Sequence, residues 1–229
     1  MNLADLLLKE GADEAPALIY KQATLTYGEL RATVSQLAAG LLARGHRKGD
    51  RVGLWSENSA FFVTSYLAII RAGLVAVPFQ TELAADTFAR ITSDAGIKTL
   101  FLSKRHARRV HGWAQQAGLD VLLEGALDST LATTGKPFPS IDPARDLAAL
   151  MFTSGSTGAP KGVMVTHGNI ECNSRDIVSY MGLTRNDRVM VVLPFHYCFG
   201  ASLLHSHLLA GGSVVLNNDF RLYPEMVLQ

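Results

Sequence analysis

Cysteine is scarce in this sequence, and neither sign of charge dominates it. The 229 residues include two cysteines, Cys172 and Cys198, in no CxxC spacing. We expect reduced, buried thiols in a cytoplasmic protein, with neither a disulfide nor a zinc site. Lysine and arginine number 21 and aspartate and glutamate 20, a net charge of +1. Because such a chain has no global field that attracts nucleic acid or an anionic membrane, any ligand must be recognised by a local site.

The sequence also lacks a long uncharged apolar run. Asp5 and Lys9 interrupt the apolar N-terminus, which excludes a signal peptide in this stretch. The most apolar segment, residues 60–79, contains Arg71 and is broken by Gly73. A helix that ends at this glycine and is followed by a short strand explains the segment better than a membrane span, so we expect no span.

The spacing of apolar residues predicts alternating strands and helices. Thr26 followed by Glu29 is a capping box, and apolar residues then recur on one helical face until Gly45. We predict strands at residues 51–55, 75–78, 99–102, 120–123, 146–153, 162–166, 188–193 and 213–216. We predict helices at about 59–72 and 83–94, from 103, after the strand that ends at 166 to about 180, around 201–209 and at 224–228. The fold class is therefore α/β, with mostly parallel sheets flanked by helices in layered βα units. Residues 125–143 are predicted to form a loop.

One loop carries most of the chemical information. It consists of Thr153, Ser154, Gly155, Ser156, Thr157, Gly158, Ala159, Pro160 and Lys161. Its glycines let backbone N–H groups approach an anion, its hydroxyls add donors, and its lysine adds positive charge. The loop follows a predicted strand, and ligands of open α/β sheets bind at the carboxyl ends of strands. These features predict a phosphate site.

Two other interpretations of this loop are weaker. A flexible Gly/Ser turn is the ordinary alternative, but apolar strands flank the loop and it contains Pro160 and Lys161. A Walker A loop requires G-x-x-x-x-G-K-[ST], whereas Pro160 occupies the position of the second glycine and Gly162 follows the lysine. A nucleotide-hydrolysing P-loop switch is therefore disfavoured.

The segment TSGSTGAPKGV resembles the phosphate-binding signature of the adenylate-forming superfamily, which includes acyl- and aryl-CoA synthetases, nonribosomal peptide synthetase adenylation domains and firefly luciferase. Further resemblances follow in the family's order: LTYGEL at residues 25–30, KGDRVGLWSENS at 48–59, AGLVAVP at 72–78, VTHGN at 165–169 and LPFHYCFG at 193–200. Together they cover nearly the whole chain.

The resemblance implies an ATP-dependent ligase. A carboxylate attacks the α-phosphate of ATP to give an acyl-adenylate and pyrophosphate, and the thiol of CoA or of a carrier protein's phosphopantetheine then takes the acyl group. Carried over by position, the residues that would hold the β- and γ-phosphates are Thr153, Ser154, Gly155, Ser156, Thr157, Gly158 and Lys161. The partners expected from the resemblance are ATP, Mg²⁺, a carboxylic acid, and CoA or an acyl carrier protein.

The resemblance also suggests how the chain is organised. Residues of about 48–190 would form a first α/β subdomain with the phosphate loop, and residues 20–46 and 191–229 part of a second. The family's Mg²⁺ ligand, ribose aspartate and C-terminal domain have no counterpart here. We therefore expect the N-terminal part of a longer enzyme, inactive alone and prone to self-association through exposed faces. The alternative is a non-catalytic remnant that acts as a nucleotide-binding or interaction module.

The segment from Pro194 to Gly200 is the second candidate site. It resembles the family pattern P-L-F-H-x-x-G, whose histidine lies beside the acyl and adenylate pocket, although Tyr197 falls at the histidine position and His196 one place early. We assign His196, Tyr197 and Gly200 to this pocket. The alternative is an aromatic core cluster with one hydrogen-bonded histidine.

Residues 194–204 contain no acidic side chain that could pair with a substrate ammonium group. An unpaired buried ammonium costs several kcal/mol, so we expect a fatty or aryl acid and not an α-amino acid as substrate. Phe195, Tyr197, Phe199 and Leu203 are expected to offer apolar surface to it.

The remaining candidates are weaker. Residues 104–111 form a basic helix that either meets the phosphates of CoA or is a solvated face. His205 and His207 are two residues apart and point to different helix faces, which disfavours a metal pair. His167 is assigned no catalytic role, and we assign no metal ligand in this chain.

Overall fold

A computed structural model describes residues 1–126, 137–153 and 160–217. The helices are α1 (Leu3–Leu7), α2 (Tyr27–Ala43), α3 (Ala60–Arg71), α4 (Ala85–Asp94), α5 (Lys104–Gln116), α6 (His167–Met181) and α7 (Cys198–Leu209). The strands are β1 (Pro16–Tyr20), β2 (Ala23–Thr26), β3 (Arg51–Trp55), β4 (Val75–Pro78), β5 (Thr99–Leu102), β6 (Asp120–Leu123), β7 (Leu147–Thr153), β8 (Lys161–Thr166), β9 (Arg188–Val191) and β10 (Ser213–Leu216).

The larger sheet has six strands in the order β6-β5-β3-β4-β7-β8. All neighbours are parallel except β7 and β8, which pair antiparallel. Every residue of β4 and β5 is buried, as expected for parallel strands covered by helices on both faces. One core cluster, which includes Trp55, Phe88 and Val110, involves α4 and α5. The predicted α/β class is confirmed.

The smaller sheet has four strands in the order β2-β1-β10-β9. Strand β1 is parallel to β10, and β10 to β9, whereas β2 pairs antiparallel with β1. The larger core cluster joins the two sheets through α1, α2 and α3, and it contains Leu18, Phe62, Met151 and Val214. Because β1 and β10 are almost 200 residues apart in the chain, tertiary pairing creates this sheet.

The N-terminal elements α1, β1 and β2 were not predicted from the sequence. Strand β2 has four residues and none of them is buried, so it lacks the apolar pattern on which the prediction depends. The capping box before α2 is confirmed: the Glu29 N–H donates to Thr26 Oγ1 over 3.3 Å, and the Thr26 N–H donates to Glu29 Oε2 over 2.8 Å. A second box, between Thr166 and Asn169, begins α6.

The expectation of buried cysteines is wrong, since both thiols are free and exposed. After His167, the buried positions in α6 are Ile170 and Ser174. Cys172 lies midway between them in sequence, on another side of the helix. Cys198 is the first residue of α7 and is also exposed.

Two other predictions concern extended regions of the chain. None of the helices within residues 1–126, 137–153 and 160–217 has the length and apolar character that a membrane-spanning helix needs. Of the predicted loop, residues 127–136 lie outside the described part, and the described residues 125, 126 and 137–143 contain no helix or strand. The helix predicted from residue 224 also lies outside it. The division into two subdomains stays a prediction.

Candidate functional site

A cleft of about 180 Å³ opens where parallel strands of both sheets end. Each part of its wall follows the carboxyl end of a strand: Ser56, Glu57 and Asn58 after β3, Thr81 and Glu82 after β4, Arg105 and His106 after β5, Val192, Pro194 and His196 after β9, and Asn217 after β10. Open α/β sheets bind ligands at this edge. The cleft is therefore the first candidate site.

The side chain of Asn58 joins the two sheets at this cleft. Its Nδ2 donates to the Leu193 carbonyl oxygen over 2.8 Å, and its Oδ1 accepts from the Phe195 N–H over 2.9 Å. The Phe195 ring is fully buried and packs against Phe62, with 5.2 Å between the ring centroids. Both contacts fix the turn that precedes His196. The prediction that Phe195 offers surface to a substrate is wrong, because this ring belongs to the core.

His196, Tyr197 and Gly200 lie on this turn and on the first turn of α7. His196 is 7% exposed and lines the cleft. Burial lowers its pKa to about 4, against the opposing charge of Glu82. Tyr197 is half exposed, with its ring centroid 4.4 Å from that of His196. A Cβ on Gly200 would lie 2.3 Å from the Pro194 carbonyl oxygen, so only glycine permits this close packing of helix against turn.

Ionisable groups of the basic helix line the opposite wall of the cleft. Burial by itself raises the pKa of Glu57, but the nearby His106 ring and hydrogen bonds from the backbone and from Ser103 outweigh it and lower the pKa to about 2. His106 Nε2 is 3.5 Å and Ser103 Oγ 3.0 Å from Glu57 Oε2. Arg105 also faces the cleft.

The other cations of this helix do not share one role. The guanidinium of Arg109 lies 5.4 Å from the ring centroids of both Trp55 and Trp113, and it donates to the Thr81 carbonyl oxygen. It holds the segment after β4 against the helix. Lys104 and Arg108 are exposed. The basic helix therefore divides into a cleft wall, a packing residue and a solvated face.

The phosphate loop connects β7 and β8. Ser154, Gly155, Ser156, Thr157, Gly158 and Ala159 lie outside the described residues. The two ends of the loop are described: Thr153 is the last residue of β7, Lys161 is the first of β8, and they are paired partners in the antiparallel ladder. Side chains directly opposite each other in such a ladder lie on the same face of the sheet. Thr153 and Lys161 therefore project side by side.

A second cavity, of about 220 Å³ and mostly apolar, lies on that same face. Ala149 and Met151 line it from β7 and Val165 from β8. Because side chains alternate along a strand, residues 149, 151 and 153 share one face, as do 161 and 165. Met151 is two residues from Thr153, or about 7 Å along the strand. The cavity thus adjoins the two described ends of the phosphate loop.

Helices α6, α7 and α3 complete this apolar cavity. Its lining comes from Asn169, Ile170 and Asn173 of α6, from Cys198, Ala201, Ser202 and His205 of α7, and from Tyr66 of α3. The α7 residues have the spacing of one helix face. Phe199 is on another side and is 65% exposed. The sequence suggests for His205 only half of a disfavoured metal pair, and it does not single out Tyr66, because no local pattern connects residues 139 positions apart.

The three histidines His167, His205 and His207 have structural partners. His207 Nδ1 donates to the Leu203 carbonyl oxygen over 2.9 Å, whereas His205 contacts Tyr66. His167 is buried at the start of α6, where its Nδ1 accepts from the Leu3 N–H over 3.1 Å. Burial lowers the pKa of His167 to about 4. Across residues 1–126, 137–153 and 160–217, no group of three His, Cys, Asp or Glu side chains could hold a metal ion.

Comparisons with known proteins identify the family of this chain. The family model described as AMP-binding enzyme matches residues 9–229. Feruloyl-CoA synthase of an Amycolatopsis species is 35% identical over 207 residues, which are 90% of this chain and 41% of that protein. Bacitracin synthase 3 of Bacillus licheniformis is 31% identical over 91% of this chain and 3% of its own length.

A solved structure gives the same result. The crystal structure of apo MatB from Rhodopseudomonas palustris superposes with a TM-score of 0.86 at 30% identity, over 99% of this chain and 46% of that one. This chain therefore spans less than half the length of feruloyl-CoA synthase and of MatB.

Proposed function

Because the chain belongs to the AMP-binding enzyme family, we propose that its parent protein is an ATP-dependent acid–thiol ligase. The proposed enzyme activates a carboxylic acid as an acyl-adenylate. It then transfers the acyl group to the thiol of CoA or of a carrier protein's phosphopantetheine. The parent protein here means the product of the whole gene that contains these 229 residues.

One observation carries the proposal: the paired ends of the phosphate loop and the apolar cavity share a sheet face. Thr153 and Lys161 are ladder partners, and Met151 and Val165 of the same two strands line the cavity. This arrangement supports an acyl group in the cavity with its carboxylate directed towards the nucleotide phosphates. Reaction then needs only positioning and stabilisation of the charge on the leaving group.

The proposed first step uses no general base. A carboxylic acid with an ordinary pKa is already ionised near neutral pH. One carboxylate oxygen attacks the α-phosphorus of ATP, and the bond from that phosphorus to the bridging oxygen of pyrophosphate breaks. We assign Lys161 and Thr153 to the β- and γ-phosphates, together with the loop residues Ser154, Gly155, Ser156, Thr157 and Gly158. In the second step the thiol loses its proton, the thiolate sulfur attacks the acyl carbon, and the bond from that carbon to the phosphate oxygen breaks, so that AMP leaves.

The substrate is proposed to be a fatty or aryl acid. Among the described residues that line the apolar cavity there is no carboxylate to pair with the ammonium of an amino acid. A buried ammonium without such a partner is strongly disfavoured. The names of the relatives feruloyl-CoA synthase and 3-hydroxybenzoate–CoA ligase support an aryl acid. The acidic magnesium ligand of the family is assigned to the part of the parent protein beyond these residues.

The thiol acceptor is proposed to approach through the 180 Å³ cleft at the carboxyl ends of the strands. Arg105 and His106 line one wall and His196 the other, so a phosphate-bearing pantetheine arm meets a guanidinium there. Relatives include both CoA ligases and bacitracin synthase 3, so CoA and a carrier protein are both candidates.

Exchange of labelled pyrophosphate into ATP tests the proposal. The purified parent protein is assayed with Mg²⁺ and a panel of fatty acids, aryl acids and proteinogenic amino acids. We expect exchange that depends on a fatty or aryl acid. Preference for an amino acid contradicts the substrate class. Absence of exchange with every acid, combined with ATP binding by calorimetry, favours a non-catalytic nucleotide-binding module.

A further inference from the structure

A hydrogen-bonded pair of buried polar side chains interrupts the apolar cavity. His205 Nε2 and the Tyr66 hydroxyl are 3.1 Å apart, and both residues line the cavity. Tyr66 is 3% and His205 5% exposed. Their rings stack with 5.6 Å between centroids. Packing alone does not require a histidine and a tyrosine here, since an apolar wall of the same shape has no polar groups to satisfy.

This pair retains one unused hydrogen-bond donor whichever way its proton points. If the Tyr66 hydroxyl donates to Nε2, a neutral His205 carries its remaining proton on Nδ1. If Nε2–H donates instead, the Tyr66 hydroxyl proton is left over. The His205 ring has no second hydrogen-bond partner among the described residues. Burial lowers the pKa of His205 to about 4, so the ring is neutral near pH 7 and this count applies.

Water reaches this donor in the free protein, because no atom of Tyr66 or His205 is both buried and unpaired. A ligand that displaces the water leaves the donor unpaired at a cost, unless an oxygen of the ligand accepts its hydrogen bond. The rest of the wall includes the apolar side chains of Met151, Val165 and Ile170, and its other polar side chains are Asn169, Asn173 and Ser202. A cavity of about 150 Å³ holds a benzene molecule. The observed 220 Å³ therefore accommodates one substituted ring. The flat faces of Tyr66 and His205 also suit a ring.

We propose that the Tyr66–His205 pair selects an aryl carboxylic acid that carries a ring hydroxyl or methoxy oxygen, which accepts the unused hydrogen bond of the pair. This inference rests on the proposed function and names the substrate class of the same cavity. It assigns to Tyr66 and His205 a role in specificity and none in the chemical step.

The test compares acids that differ by one oxygen. Binding of 4-hydroxycinnamate, cinnamate and octanoate to the parent protein is measured by calorimetry, and pyrophosphate exchange is measured with the same acids. We expect the wild type to bind 4-hydroxycinnamate at least tenfold more tightly than cinnamate, and octanoate more weakly than both. Tyr66→Phe, which removes only the hydroxyl, should reduce the ratio between the two aryl acids to about two or less while cinnamate still binds.

Tyr27→Phe is the matched control. Tyr27 is another fully buried tyrosine, and its hydroxyl donates to the Gly212 carbonyl oxygen over 2.7 Å, away from both sites. This variant loses a buried hydroxyl but should keep the wild-type ratio. His205→Phe gives a second arm, because it keeps a ring and removes both nitrogens; it too should abolish the preference.

The outcomes separate the two proposals. A ratio that survives in Tyr66→Phe and in His205→Phe overturns the inference, and so does a wild type that prefers octanoate. If the preference for 4-hydroxycinnamate over cinnamate appears in binding and is lost in both variants, but no acid supports exchange, the inference stands and the proposed ligase function fails.

Discussion

Asn58 Oδ1 accepts a hydrogen bond of 2.9 Å from the backbone N–H of Phe195, 137 residues further along the chain. The same amide donates to the carbonyl oxygen of Leu193. One side chain at the carboxyl end of β3 therefore holds the turn that leads from β9 into α7. His196 lies immediately after the bonded residues, so the position of this cleft residue depends on Asn58.

Replacement of Asn58 by alanine removes both bonds and leaves a buried N–H and a carbonyl without partners. We expect the free energy of unfolding of the parent protein to fall by about 2–3 kcal/mol, measured by urea denaturation. Pyrophosphate exchange should slow by roughly tenfold or more, since displaced site residues align reactants poorly. Asn186→Ala, at an exposed position, is the control and should change neither quantity. Wild-type values for Asn58→Ala would show that the bonds do not position the turn.

Lys161→Ala tests the phosphate site at a described residue. Loss of a charged hydrogen bond to phosphate is worth roughly 1.5–3 kcal/mol, so acid-dependent pyrophosphate exchange should slow by about one to two powers of ten. Lys98→Ala removes an exposed lysine on the loop between α4 and β5 and should leave exchange unchanged. Circular dichroism establishes that both variants are folded. Equal exchange rates in the two variants would remove Lys161 from the site.

The 229-residue chain expressed by itself should form no acyl-adenylate. The Mg²⁺ ligand, the ribose contact and the mobile domain of the family are not among its motifs. The purified chain and the parent protein are incubated with ATP, Mg²⁺ and the best acid, and the adenylate is trapped with hydroxylamine. We expect only the parent protein, and not the isolated chain, to give hydroxamate. Hydroxamate from the isolated chain would mean that these residues suffice for the first step.

Stability should decrease as the pH falls from about 6.5 towards 4. Burial lowers the pKa of His167, His196 and His205 to about 4 in the folded state, against 6.5 when unfolded. In this window the unfolded chain binds more protons, so acid favours it. Each of these buried histidines contributes at most about 1.4 kcal/mol per pH unit to the slope of the unfolding free energy against pH.

Urea unfolding of the parent protein at several pH values measures this slope. His205→Gln should reduce the slope by about the share of one histidine, whereas His111→Gln, at an exposed position on α5, should not change it. The hydrogen-bonded Glu57, with a pKa of about 2, stabilises the fold above pH 4.5 and loses this effect only as the pH falls towards 2. The loss of the Glu57 contribution therefore occurs mainly at a lower pH than the loss caused by the histidines. Identical slopes in both histidine variants would contradict the buried, neutral state of His205.

Much of the fold could be predicted because its signals are local. The strands β3 to β6 were predicted with the observed bounds, since they are short apolar runs between turn residues. The capping box of α2 depends on residues three apart and was also predicted. Helix α7 was predicted to begin at Ala201 but begins at Cys198, because the glycine that packs against the turn weakens its apolar pattern. Strand β2 forms only by pairing with β1, and its exposed residues gave no signal.

The sequence by itself determined the βα order, the family resemblance and the position of the phosphate loop, because spacing within a few residues and a contiguous motif encode them. Tertiary structure alone decided what the sites contain. It paired Asn58 with the turn at 193–195, and it brought Tyr66 to His205 across 139 residues. It also placed Met151 and Val165 on the face of Thr153 and Lys161. The physical reason is that strand register and helix packing choose which distant side chains meet, and these follow from burial of the whole core.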